Sequence, residues 1–185
     1  LEVLESIETL QGKGPRDLTD ITLAFAEEMM IQGKVTKSRA QARAQLEEAL
    51  ADGSAFNRFR QMVELQGGDV RVIDNPALLP QARIREDHPA PASGYVALAD
   101  AESIGKACVV LGAGRTRTDE AVDFAVGVSG ILKVGEPVKK GQPLLTLHAN
   151  DEKRLADAKA LLKTAFKITR TRPRAPKLIL ERIGG

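Results

Sequence analysis

Between Asp74 and Pro80 the chain changes its hydrophobic period, and that change divides it into two parts that must fold differently. Upstream, apolar residues recur at helical spacing. Leu1, Val3, Leu4, Ile7 and Leu10 fall on one side of a helix, yet no Ser, Thr, Asp or Asn precedes Leu1 to cap it and no initiator Met is present. The segment therefore reads as a helix whose start lies upstream. Gly12-Lys13-Gly14-Pro15 breaks it, and Pro15 is placed to open a second helix because a first-turn proline loses no intrahelical bond. That helix, Asp17 to Gln32, carries Leu18, Ile21, Leu23, Ala24, Phe25 and Met29, stops at Gly33, and is expected to be largely buried. Ser38 can cap a third helix through Leu50 that Gly53 ends. Ser54 can cap a fourth, with Phe56, Phe59, Met62 and Val63 as its apolar stripe and Gly67-Gly68 as its stop.

Downstream, Val, Ile and Leu alternate with polar residues in short runs punctuated by glycine and proline. The predicted order is strand, helix, strand, strand, helix, strand. Gly94 to Leu98 is a strand, Asp100 caps a helix through Leu111, and Val126 to Val134 returns as a strand. Val134 to Ala149 reads as two strands joined through glycine turns. Asn150 or Asp151 caps a helix to about Phe166, and Lys177 to Ile183 supplies a last strand.

At 185 residues and 43% hydrophobic content, the chain is long enough for one ordinary domain or two small ones with cores of their own. Charged residues nearly cancel to a formal net charge of +2, so no strong field for nucleic acid or a membrane surface is implied. The only cysteine, Cys108, cannot form an internal disulfide, which suits a reducing cytoplasm. No apolar run approaches the roughly 20 residues of a membrane span, and no signal-peptide pattern opens the chain. The expectation is a cytoplasmic protein with no membrane and no nucleic-acid partner.

Individual motifs carry little chemistry. The run Val134-Gly135-Glu136-Pro137-Val138-Lys139-Lys140-Gly141-Gln142-Pro143-Leu144 resembles the half-barrel of biotinyl and lipoyl carrier domains. A carrier needs a lysine at a hairpin tip, and Ala149-Asn150-Asp151 stands where the usual Ala-Met-Lys would be, so a structural module sharing that architecture is the preferred reading and a noncatalytic binding or carrier module the alternative. Gly112-Ala113-Gly114-Arg115 follows a helix instead of preceding one, and a helix C-terminus presents carbonyls, so a helix stop with a mobile loop outweighs a phosphate cradle. The basic run Arg170 to Lys177 lacks an aromatic for base stacking and is stiffened by Pro173 and Pro176, as expected of an exposed connector. Cys108 reads as a buried thiol, and His88 and His148 are not at metal-ligand spacing. No pair of carboxylates stands at a spacing that suggests acid/base work.

Several stretches together resemble the pyrimidine-nucleoside phosphorylases, the thymidine phosphorylase family, over their C-terminal portion. They are Leu1 to Leu18, Phe59 to Asp69 with Val72-Ile73-Asp74 and Leu78-Leu79-Pro80, Ser93 to Val96, Leu111 to Arg115, Asp123 to Val128, and Val134 to Asn150. The resemblance implies an α/β (α+β) fold: residues 1–76 as helices left over from the large phosphorylase domain, and 77–185 as the C-terminal α+β hammerhead or barrel-sandwich module. It implies a pentosyltransferase parent in which phosphate attacks the anomeric carbon of a pyrimidine nucleoside, acting as a homodimer. In that family the phosphate loop with its lysine, and the arginine, serine and lysine that hold the base, precede the Leu-Glu-Val segment; the resemblance thus implies no catalytic residue among residues 1–185 and no activity of this portion alone. It carries over one metal position, Glu5, as the carboxylate ligand of a potassium ion whose carbonyl ligands would precede Leu1. It also places Arg115 on a loop near the substrate. No organic cofactor is implied.

Overall fold

The computed structural model describes residues 1–115 and 117–183. The chain divides into two compact units. One runs from Leu79 to Pro176 and takes in Leu1; the other runs from Glu2 to Leu78 and takes in the tail from Lys177.

The helical unit holds α1 (Glu2–Leu10), α2 (Arg16–Gln32), α3 (Arg39–Ala51), α4 (Ser54–Leu65), the single turn α5 (Arg71–Asp74) and a 3-10 turn at Pro76–Leu78. Local signals set most of the ends. Pro15 precedes α2 and Gly33 closes it, while the Ser38 hydroxyl accepts from the Gln41 N–H to cap α3. The fourth helix differs slightly from expectation: Gly53, in the left-handed region at φ +77°, takes the cap position, and Ser54 is already helical. The core of this unit is thin. Ile7, Leu23, Ala24, Ala42 and Ile73 are buried, but α4 buries none of its residues completely. Nor is α2 the largely buried helix its composition suggests, because Phe25 is 64% and Met29 72% exposed. Only the Leu23, Ala24 and Glu27 side of α2 is covered within the unit. Glu27, nearly buried, is compensated by Arg43 at 3.2 Å from α3 and by Arg182 at 3.7 Å from the tail.

The second unit is mixed: β1 (Ile84–Pro89), β2 (Gly94–Ala99), α6 (Ala101–Leu111), β3 (Gly127–Ser129), β4 (Pro137–Val138), β5 (Pro143–Ala149), α7 (Glu152–Leu162) and β6 (Phe166–Thr169). These short antiparallel strands form two three-stranded sheets, in the orders β1-β5-β3 and β4-β2-β6. Neither closes into a barrel, and helices followed by this α+β arrangement give the α/β (α+β) class expected from the sequence. Strand β5 is the hub. Leu145, Leu147 and Ala149 face α6 and α7 through Ile104, Ala107, Leu111, Leu155, Ala158 and Leu162, whereas Leu144 faces Ala90, Val96 and Val138 of a second cluster. The Phe166 side chain packs against both clusters. Asp100 caps α6 by accepting from the Ser103 N–H, and Asp151 caps α7 by accepting from the Arg154 N–H.

In this half one expectation needs correction and two features go beyond what the sequence announces. Strands β4 and β5 are consecutive but lie in different sheets, because the turn at Lys139–Gln142, with Gly141 at φ +84°, carries the chain from one sheet to the other. The last strand falls at β6 and not at Lys177–Ile183, which has no ladder among the described residues and leaves Leu180 84% and Ile183 91% exposed. Strand β1 goes unannounced because its inward residues are Ile84, Glu86 and His88, and the last two break the apolar alternation.

Candidate functional site

The residues with chemical potential in the α+β unit gather where α6 ends. Gly112, at φ +105°, terminates α6 in the left-handed conformation that spares glycine a Cβ clash, and residues 113–122 then leave and return. Thr116 lies outside the described residues. Arg115 is exposed near the loop's start, and its guanidinium donates to the Thr118 carbonyl at 3.4 Å. Arg117 pairs with Asp119 at 3.1 Å. The loop thus follows a helix C-terminus, as read from its glycines, and presents two arginines to solvent.

What the loop stands on is not visible in the sequence. The Asp123 N–H donates to the Gly112 carbonyl at 2.9 Å, closing the two feet on each other. The Asp123 carboxylate accepts from the Ala125 N–H at 2.9 Å and, with its other oxygen, from the Asn150 side-chain amide at 2.8 Å. Asn150 in turn accepts the Arg83 N–H at 2.8 Å through its side-chain oxygen, and its backbone carbonyl accepts from the Arg83 guanidinium at 2.5 Å. These bonds, led by those from Ala125 and Asn150 and helped by the positive Arg154, hold the Asp123 carboxyl below the usual carboxylate range, so it is ionised at neutral pH. The place where a carrier would hold its lysine is occupied by Asp151, whose carboxylate caps α7 by accepting from the Arg154 N–H, and the residue before it is the Asn150 amide engaged in this network.

The two histidines stand on opposite faces of the first sheet. His88 on β1 lies against the Phe166 ring, with ring centres 6.2 Å apart. Burial lowers its pKa, and the nearby Lys159 adds to the effect. His148 on β5 shares a 2.8 Å hydrogen bond through Nε2 with the Ser129 hydroxyl of β3, and Arg85 sits opposite it across the strand pair. Burial, then Arg85, lowers its pKa as well. Both rings are thus neutral at pH 7, and each is occupied by a packing or cross-strand partner. Cys108 is half-buried on α6, less enclosed than its apolar neighbours suggest.

In the helical unit Glu5 sits exposed in the first turns of α1. Its backbone carbonyl already accepts the Thr9 hydroxyl at 2.7 Å, which leaves the carboxylate as its ligand group. A hard cation takes several oxygens, so Glu5 fits as one ligand of such a site. Among the described residues no three His, Cys, Asp or Glu side chains converge as a metal cluster. An open groove of about 400 Å³ is lined by Thr19, Asp20, Leu23, Arg43 and Glu47, and its charges are paired with one another, Arg43 meeting Glu47 at 2.6 Å and Asp20 at 3.7 Å. No described helix is long and apolar enough to cross a membrane.

Comparison with known proteins identifies the α+β unit. Residues 95–169 match the family described as the pyrimidine nucleoside phosphorylase C-terminal domain. The chain is 43% identical over 152 residues, 82% of its length, to the pyrimidine-nucleoside phosphorylase of Bacillus subtilis (strain 168), covering 35% of that protein. It is 39% identical over 183 residues, 99% of its length, to the pyrimidine-nucleoside phosphorylase of Geobacillus stearothermophilus, covering 42% of that protein. The chain thus spans well under half the length of these relatives. Residues 95–169 thus belong to the pyrimidine nucleoside phosphorylase C-terminal domain family, and the chain as a whole is similar to pyrimidine-nucleoside phosphorylases.

Proposed function

We propose that this chain is the C-terminal portion of a pyrimidine-nucleoside phosphorylase, a cytoplasmic homodimer that cleaves uridine- or thymidine-type nucleosides with phosphate. The observation that carries the reading is the 39% identity to such a protein along 99% of the chain, which extends through the helical part as well as the α+β part. In the reaction a phosphate oxygen forms a bond to the anomeric carbon, the glycosidic bond breaks, and its electron pair leaves with the base nitrogen, giving free pyrimidine and pentose 1-phosphate. That chemistry needs cationic and N–H donors around the phosphate and around the negative charge developing on the base.

The role of this portion is supporting. Residues 1–76 belong to the large domain and 77–185 form the C-terminal module. Arg115, a guanidinium on an exposed loop, is suited to approach an anion, and Glu5 supplies one carboxylate to a potassium ion that steadies the large domain. The chain alone is inactive, because the groups that grip phosphate and base belong to the part of the parent it does not span. Cys108, half-buried and the single cysteine of the chain, agrees with a cytoplasmic setting.

The test is ultraviolet detection of base release from uridine and thymidine, with and without phosphate, by the full-length protein and by residues 1–185 alone. Phosphate-dependent release by the full-length protein and none by the short chain is expected. A full-length protein that releases no base, or a short chain that does, refutes the corresponding half of the proposal.

A further inference from the structure

The Asp123–Asn150 pair does more than tie a strand to a loop. Asp123 is the far foot of the loop that carries Arg115, and Gly112 is the near foot; the 2.9 Å bond between them closes a ring of backbone around residues 113–122. Such a closure by one hydrogen bond would fray in solution if nothing else held it. Here the closing residue is fixed from the opposite side by Asn150 at 2.8 Å, and Asn150 is itself fixed by two bonds from Arg83. Arg154, from the first turn of α7, stands so close to Gly112 that a Cβ there would lie 2.7 Å from its guanidinium. Four separate segments therefore converge on the feet of one exposed loop: the entry to β1, the exit of β5, the start of α7 and the end of α6.

We infer that Asn150 and Asp123 are positioning residues, a clamp that holds the feet of the 113–122 loop together so that Arg115 is presented from a fixed base. What Arg115 is presented to rests on the phosphorylase reading, an anionic phosphate; the clamp itself does not. Neither residue touches the reacting atoms in this assignment, and each acts through the loop.

The chemistry of the pair supplies a test by exchange of partners. Asn150→Asp places two carboxylates at hydrogen-bonding distance and removes the donor, so the clamp opens. Asp123→Asn also fails, since it leaves one side-chain oxygen where the carboxylate uses two. That oxygen can accept from Ala125 or from Asn150 but not from both, and the new amide group would face the amide of Asn150. The double variant Asp123→Asn/Asn150→Asp restores every bond: the position 123 oxygen still accepts from Ala125, its amide donates to the new carboxylate, and that carboxylate still accepts from Arg83.

Hydrogen exchange by mass spectrometry on residues 1–185 reads the outcome. Peptides covering 112–115 and 123–126 are expected to exchange about tenfold faster or more in Asn150→Asp, with peptides of β5 unchanged, and to return to within about threefold of the parent rate in the double variant. Unchanged exchange at the feet in Asn150→Asp, or a double variant as open as the single one, overturns the inference. Faster exchange throughout β5 as well would show a general loss of stability and overturn it too; Asn150→Ala, which deletes the donor without adding charge, repeats the measurement should the aspartate variant fail to fold. No nucleoside or phosphate enters this experiment, so its failure is separate from failure of the phosphorylase reading.

Discussion

Gly94 and Gly105 lie eleven residues apart in the same unit, and alanine at the two positions should move stability in opposite directions. Gly94 opens β2 between β4 and β6. A Cβ there would fall inside van der Waals contact with the Thr169 backbone carbonyl oxygen and 3.0 Å from the Ile168 side chain, and the carbonyl cannot move without breaking the β2–β6 ladder. Overpacking against an atom that cannot yield costs about 1–3 kcal/mol. Gly105 is the reverse case: exposed in the middle of α6, with nothing within 4 Å of its would-be Cβ. Alanine there removes backbone freedom from the unfolded chain and contributes about 0.5–1 kcal/mol of stability. For a unit of about 100 residues, each kcal/mol moves Tm by roughly 4–8 °C. Thermal unfolding followed by circular dichroism should thus show Gly94→Ala melting about 4–24 °C lower and Gly105→Ala roughly 2–8 °C higher than the parent. Two shifts of the same sign would refute the reasoning, since the two sites differ only in what surrounds the added methyl group and in backbone conformation.

Three further outcomes follow from the packing and the charges. Leu147→Ala, at a fully buried site on β5, should destabilise by about 2–5 kcal/mol, against less than roughly 0.5 kcal/mol for Leu161→Ala, which is 37% exposed on α7; urea titration of both separates core from rim. Ser38→Ala removes the hydroxyl that accepts from Gln41 and should cost about 1 kcal/mol in the helical unit, whereas Ser38→Asp should retain most of that stability in the same titration. For pH, His88 and His148 both have folded-state pKa values below their ordinary 6.5, so the unfolded chain binds more protons than the folded one in that window. Stability should therefore be flat above about pH 7 and fall as the pH drops through 6.5 and below. Tm measured from pH 8 to pH 5 checks the slope, and replacing both histidines by glutamine should flatten it.

Local chemistry makes much of this fold readable. Ser38, Asp100 and Asp151 cap the helices their positions announce, and Gly33 and Gly112 end two of them, because capping depends only on neighbours within one turn. Strand pairing depends on partners far along the chain and is read less well. Glu86 faces inward on β1 because Lys159 of α7 meets it at 2.5 Å, a contact no local pattern encodes. Lys177–Ile183 has the short apolar run of a strand in Leu178-Ile179-Leu180, but such a run supplies a surface and not a partner. The same limit applies to the candidate site. Arg115 and Glu5 stand out only through family resemblance, and the clamp escapes notice because Asp123 lies 27 positions before Asn150 and Arg83 lies 67 positions before it. An aspartate and an asparagine at those intervals carry no periodic signal.

The shared packing of Phe166 has a consequence for how the α+β unit comes apart. One aromatic ring that belongs to both apolar clusters cannot be withdrawn from one without opening the other. With β5 also contributing to both clusters, the two sheets should melt as a single cooperative body, and trimming that ring to alanine should move one calorimetric peak to lower temperature without dividing it.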